Sequence, residues 1–382
     1  MNNRYYSLDV FRGATVALMI LVNNPGSWSH IFAPLEHASW YGCTPTDLVF
    51  PFFLFAVGNA MAFVMPRFET AGPSVFWKKV IKRTMLIFAI GLFLNWSPFV
   101  KWDHDSLVAK IWENIRILGV LQRIALCYFF ASIIVFYGKT KGAYYISILL
   151  LLAYWFICYA ANPADPYSLA GWFGTAIDIK ILGVTHMYKG EGVPFDPEGL
   201  LSTPAAIVQV VFGFLVGQYI QLKGKNFEML ANLLIAGLVM ITAGYFWDMV
   251  FPINKKIWTS SYTLFTSGLA ILTLGTMIYW IEFKEVKGAW SSFFDVFGKN
   301  PLFIFVLSGF LPRLLGLFRW QVGVEADGSI DYTSALPWFY ENICKPISSD
   351  LRVGSLIYAL CMISFYWLIV YILDKKRIYI KV

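Results

Sequence analysis

An all-α, polytopic membrane protein with about ten transmembrane helices in one bundle is the fold class that this sequence predicts. Three observations carry it. Of the 382 residues, 58% are hydrophobic and 18% aromatic while only 14% are charged, and a soluble domain of that make-up would expose large apolar patches. Runs of roughly 20 apolar residues, enough to cross a bilayer core of about 30 Å, recur along the chain. Stretches such as GVLQRIALCYFFASIIVFY and ISILLLLAYWFICYA are apolar all round, whereas a transmembrane β-barrel would show alternating segments of roughly ten residues.

The runs begin near Leu8, Asp47, Trp77, Ile115, Tyr144, Thr203, Met229, Ser261, Phe293 and Val353. The start MNNRYYSLDVFRG lacks the basic region, short apolar core and small-residue cleavage site of a signal peptide, so the first helix is expected to be retained. Asp9 and Arg12 lie three apart on one face of that helix and can neutralise each other. Asn23 and Asn24 end it, roughly 21 Å beyond Asp9 at 1.5 Å per residue. There they can meet the loop that carries His37.

Asp47 opens the second helix, where a carboxylate suits the N-terminus. It also follows His37 closely enough to orient the imidazole, and the sequence leaves capping and orienting both open. Gln122 and Arg123 in GVLQRIAL are expected well inside the fourth helix, where a guanidinium must face a polar interior, and its fork of donors suits phosphates and carboxylates. Lys299 and Asn300, ahead of the helix-breaking Pro301, make a second polar interruption.

Alternating the sides puts the N-terminus with Arg67, Lys78, Lys79, Lys82 and Arg83, with Lys139 and Lys141, with Lys223 and Lys225, and with the basic tail. By the positive-inside rule that side is cytoplasmic, with both termini there. The other side receives longer loops that hold all four histidines. One of them, IDIKILGVTHMYKGEGVPFDPEGLLSTP, gathers Asp178, His186, Asp196 and Glu198; another, WDMVFPINKKIWTSSY, places Asn254 and Lys255 near Trp258. Acids, amides and an aromatic face suit a sugar, although Trp and Tyr are also normal at a membrane interface.

The net charge of +7 comes from cations at helix ends, where insertion physics accounts for them, so no nucleic-acid partner is expected. Five scattered cysteines show neither zinc spacing nor a disulfide framework, and no metal is expected. No repeat or low-complexity linker divides the chain, which reads as a single domain over 1–382. Self-association stays open.

These residues fall in segments whose combination and order resemble the heparan-α-glucosaminide N-acetyltransferase family and its bacterial relatives: SLDVFRG, LVNN, HASWYGCTPTDLVFPFFLF, GVLQRI, FDPEGLLST, PINKKIWTSSY and GKNPL. The resemblance implies a membrane acetyltransferase that moves an acetyl group from cytosolic acetyl-CoA to the amino group of a glucosamine-type sugar on the opposite side. It implies an integral protein of the lipid bilayer, expected in a bacterial inner membrane. The family's H-A-S-W histidine matches His37, and the asparagine at the end of its helix matches Asn23.

On that reading His37 accepts the acceptor's proton, since imidazole titrates near neutrality, with an acetyl-imidazole intermediate left open. Asn23 donates to the oxyanion, and Asp47 completes the catalytic group. Arg123, Gln122, Lys299, Asn300 and Arg12 are the candidates for gripping acetyl-CoA. Asp178, His186, Asp196, Glu198, Asn254, Lys255 and Trp258 are the candidates for the sugar. The competing reading is a secondary transporter or permease that uses the intramembrane charges for coupling.

Overall fold

A computed structural model describes residues 5–324 and 329–380. Among the described residues its regular structure is helical apart from two short hairpins, and its helices follow the apolar runs. They are α1 (Tyr6–Asn23), α2 (Val49–Ala71), α3 (Pro73–Trp96), α4 (Val120–Ala161), α5 (Gly174–Leu182), α6 (Thr203–Lys223), α7 (Phe227–Asp248), α8 (Ser260–Ile278), α9 (Ala289–Lys299), α10 (Pro301–Leu315), α11 (Ala335–Phe339) and α12 (Leu351–Lys375). Among the described residues seven of these are long and apolar enough to cross a membrane, or eight if α9 and α10 form one broken span. The 42-residue α4 breaks at Lys139, whose backbone is not helical, into two halves. Helix α3 carries Lys78, Lys79, Lys82 and Arg83 in its first half, and these charges keep it out of that set.

Local chemistry sets the ends. Pro73, Pro204 and Pro301 stand in the first turn of α3, α6 and α10, where the missing N–H costs nothing. Asn226 and Thr259 cap α7 and α8 by accepting from Met229 and Tyr262 N–H groups, satisfying donors that the helix leaves orphaned. The chain turns by 79° at Asn300 and Pro301, so the polar interruption read from the sequence is a true break.

Two close helix approaches fix the seam that matters for function. A Cβ on Gly13 would lie 1.7 Å from the Phe294 carbonyl oxygen, and one on Gly298 would lie 2.3 Å from that of Asp9. Helices α1 and α9 therefore meet backbone to backbone. Gly58 and Gly213 do the same for α2 and α6, with a Cβ at 1.9 Å from Val210 O and 2.1 Å from Phe55 O respectively. Side by side, α1 and α2 share the Phe11, Phe52 and Phe55 cluster.

The two hairpins, β1 (Val100–Asp103) with β2 (Ser106–Ala109) and β3 (Arg319–Val324) with β4 (Ile330–Ser334), are antiparallel. They lie together through Arg319. Its guanidinium stacks between Trp102 and Tyr332 at 3.9 and 3.8 Å and reaches Asp105 Oδ1 at 3.1 Å.

Candidate active site

The His37 loop is built by turns at either end. Residues Ala33–Leu35 and Pro45–Leu48 form single 3-10 turns, and Thr44 caps the second in a reciprocal box with Asp47. Gly42, at φ +100 where only glycine is comfortable, lets the loop pair with the segment before α8: its N–H donates to Ile253 O at 2.8 Å. This pairing carries Lys255 to His37. Tyr262 donates to the Asp47 carbonyl at 2.6 Å and pins the loop from below.

Asp47 does both jobs that the sequence left open. Its Oδ1 lies 2.6 Å from His37 Nδ1, while Oδ2 accepts from the Thr44 and Ala38 N–H groups at 3.0 and 3.1 Å. The carboxylate is 1% exposed and the imidazole 41%. With the imidazole proton on Nδ1, facing the carboxylate, the ring keeps its lone pair on Nε2, where Lys255 is the neighbouring donor. Lys255 Nζ lies 3.0 and 3.2 Å from the two ring nitrogens and 3.5 Å from Asp47 Oδ1. Burial draws the Lys255 pKa down, with Asp47 and Glu198 opposing. Burial and then the Asp47 charge push the Cys43 thiol up to about 12, away from the reactive thiolate.

His37, Asp47 and Asn23 line one cavity of about 340 Å³, within the range of small-molecule sites. Its far wall is charged. Arg116 forms two hydrogen bonds to Asp196, Nε to Oδ2 at 3.1 Å and Nη2 to Oδ1 at 2.5 Å, and also reaches Glu198. Tyr188 covers its guanidinium at 4.8 Å. Burial alone would raise the Glu198 pKa, but Arg116 and Arg123 outweigh it and hold the carboxyl below its ordinary value. Lys256 pairs with Glu191 at 2.7 Å on the same wall.

Of the residues expected to meet the sugar, Glu198, Lys255 and Trp258 line this cavity. Trp258 is 1% exposed and sits at φ +49, a strained setting for a bulky side chain. Asp196 stands behind Arg116. Asn254 is fully buried and accepts from Ile257 N–H at 3.1 Å. His186 hydrogen-bonds the Ile115 carbonyl at 2.6 Å, and Asp178 accepts from Leu200 N–H at 2.9 Å. These last four are outside the lining of the cavity.

A second cavity of about 560 Å³ opens at the other end of the α1–α2 seam, lined by Asp9, Arg12, Asn59, Arg67, Lys299 and Tyr379 among others. Phe53 lines the first cavity and Ala56 the second. Three residues separate them along α2, about 4.5 Å of axial rise. Arg12 bonds Asp9 at 2.7 Å and the Gly298 carbonyl at 2.7 Å, and Lys299 pairs with Asp295 at 2.8 Å and Asp374 at 3.0 Å. Asn300 holds the segment after α12 by bonds to Ile378 O and Ile380 N.

Gln122 and Arg123 are elsewhere than the sequence placed them. Helix α4 starts at Val120 rather than Ile115, because residues 115–119 are not helical, with Ile115 and Gly119 extended, so both stand in its first turn. Arg123 is 1% exposed, donates to Gly199 O at 2.8 Å and to Ser202 Oγ, and lies 5.4 Å from the Trp258 ring. Gln122 lines a further chamber with Asn23, Asn95 and Arg313. Arg116, Glu191 and Lys256 escaped the sequence reading. Arg116 was absorbed into the expected fourth helix, and only its place beside an extended Gly119 brings it to the cavity.

An α-helical, polytopic membrane protein with a histidine–carboxylate pair in a polar cavity at one end of its helices is the class that this fold and site define. Residues 4–180 match the family described as heparan-alpha-glucosaminide N-acetyltransferase, catalytic. The chain is similar to the heparan-alpha-glucosaminide N-acetyltransferase of Mus musculus, 27% identical over 85% of this chain and 56% of that protein. Similarity to the Homo sapiens protein of the same name is also 27%, over 79% of this chain and 52% of that protein. The chain thus spans about half the length of the curated relatives it matches, and the resemblance read from its motifs holds.

Proposed function

We propose that this chain is a membrane acetyltransferase that takes an acetyl group from acetyl-CoA, presented from the side of its termini, and places it on the amino group of a glucosamine-type sugar on the opposite side. The observation that carries this reading is the pair of cavities one helical turn apart on the α1–α2 seam, with His37, Asp47 and Asn23 in one and the cations Arg12, Arg67 and Lys299 in the other. A long pantetheine arm separates the thioester of coenzyme A from its phosphates. One donor molecule can therefore offer each end to its own cavity.

In this mechanism Nε2 of His37 receives the proton of the amine as its nitrogen attacks the thioester carbonyl. Asp47 holds the ring and stabilises the imidazolium that forms. The Asn23 amide donates to the oxyanion, and a preorganised donor of that kind contributes about 3 to 4 kcal/mol. On collapse the carbon–sulfur bond breaks, and His37 returns its proton to the departing thiolate. Glu191 and Glu198 lie on the wall that would face an amino sugar, and Arg67, the cation of the inner cavity that no carboxylate neutralises among the described residues, suits phosphate.

The test is release of coenzyme A from acetyl-CoA by the purified protein. Release that depends on glucosamine and disappears in His37→Ala is the expected result. A permease would release none, and that outcome would end the acetyltransferase reading.

A further inference from the structure

On the side of the termini, α2, α3 and α4 enclose a notch of about 350 Å³ whose lining includes four cations, Arg67, Lys79, Lys82 and Arg83, and no carboxylate. Lys79, Lys82, Arg83 and Leu86 follow the i, i+3, i+4, i+7 spacing of one helical face, and Arg67 enters from α2. Like charges three and four apart on a helix destabilise it unless something offsets them. Among the described residues none of the four comes within 4.0 Å of a carboxylate oxygen. Between Asp47 and Asp103 the sequence holds one acid, Glu69, and Lys139 already occupies it at 2.8 Å.

The positive-inside rule accounts for cations at this end of the bundle, but it does not require one of them to be drawn inward. Arg83 is: its guanidinium lies 4.8 Å from the ring of buried Tyr128, and its Nε is buried without an acceptor. Beside the cations the rim is apolar and open, with Val64, Val75 and Leu86 each between 36% and 40% exposed and neighbouring Met85 64% exposed. Such a rim suits acyl chains.

We propose that this notch is a phosphate-binding site filled by the headgroup of an anionic phospholipid from the surrounding leaflet. The phosphate accepts from the Arg83 guanidinium and from Lys79 and Lys82, while the acyl chains lie along α2 and α3. Basic pockets between membrane helices serve anionic headgroups by this chemistry. A free phosphate or the phosphates of coenzyme A share it, and Arg67 lines both this notch and the inner cavity, so the two sources need separate arms. The site does not depend on the acetyltransferase reading.

Native mass spectrometry of the full chain in detergent tests it, with phosphatidylglycerol against phosphatidylcholine of the same acyl chains. The wild-type protein should hold phosphatidylglycerol at least tenfold more tightly than the Lys79→Gln/Lys82→Gln/Arg83→Gln variant, and phosphatidylcholine should show no such difference. Lys225→Gln, a neutralised cation at the α6–α7 turn, should bind like wild type. Should the triple variant fail to fold, Lys82→Gln alone, at an exposed position, should still weaken retention about threefold. Equal retention of phosphatidylglycerol by wild type and variant overturns the site. Displacement of the lipid by millimolar coenzyme A or inorganic phosphate, lost in the variant, keeps the phosphate site and overturns the lipid as its occupant.

Discussion

His37 and Asp47 stand ten residues apart in the chain and meet at 2.6 Å, Nδ1 to Oδ1, with the other carboxylate oxygen spent on the backbone of the same loop. One side chain therefore closes the loop and orients the imidazole. Replacing His37 by Ala should abolish acetyl transfer while donor binding persists, because a base acts in the transition state rather than the ground state. Asp47→Asn should cost more than a hundredfold in kcat, since the amide can present its N–H to Nδ1 and leave the proton on Nε2. It should also cost about 1 kcal/mol of stability through the weakened cap. Steady-state kinetics and thermal melts check both, and full turnover in Asp47→Asn would remove the carboxylate from the mechanism.

Asn23 occupies the last turn of α1 and lines the same cavity as His37. Asn23→Ala should lose about a hundredfold or more in kcat with KM for acetyl-CoA little changed, as expected of one oxyanion donor. Asn23→Asp should do no better, because a carboxylate accepts where a donor is needed. A rise in KM alone would make Asn23 a binding residue instead.

Asp178 gives a prediction that can be read without activity. It is fully buried in α5, and burial, with Asp196 adding to it, raises its pKa to about 6 against the ordinary 3.8. At a pH below 3.8 the carboxyl is protonated in both the folded and unfolded chain. Between that value and about 6 the unfolded chain ionises while the folded one keeps the proton, so wild-type stability falls as pH rises through this window and stays lowered above it. Asp178→Asn keeps an acceptor for the Leu200 N–H and has no such proton. It should therefore melt higher than wild type at pH 7.5, by at most about 3 kcal/mol, and alike at pH 4. A variant that melts no higher than wild type at pH 7.5 would mean that burial does not hold this carboxyl protonated.

Much of this was legible in the sequence, and the rest was not for physical reasons. Ten apolar runs register the helices because each span must satisfy its backbone internally. His37, Asn23 and Asp47 could be brought together because all three sit at the join of the first two runs. Arg116 could not. Its approach depends on where α4 starts, and the extended backbone at Gly119 moves that start by five residues. Lys256 and Glu191 come from loops 65 residues apart, and nothing local encodes the meeting. Lys299 shows the converse: the sequence reveals a cation at a helix break, but not that Asp295 and Asp374 already neutralise it.

The final prediction concerns sidedness. Coenzyme A is too polar to cross lipid, so a donor from the terminal side must reach His37 through the seam between α1 and α2. Arg12, Arg67 and Lys299 line one end of that seam and His37 the other, with one turn of α2 between Phe53 and Ala56. In sealed vesicles of known orientation, acetyl-CoA on the terminal side and glucosamine on the other should give acetylated sugar without donor crossing. Widening the turn with Phe53→Ala should leave that vectorial product in place, whereas Ala56→Trp should block it at the shared wall. If product forms only when donor and acceptor share one face, His37 can still be the base, but transfer across the membrane must be given up.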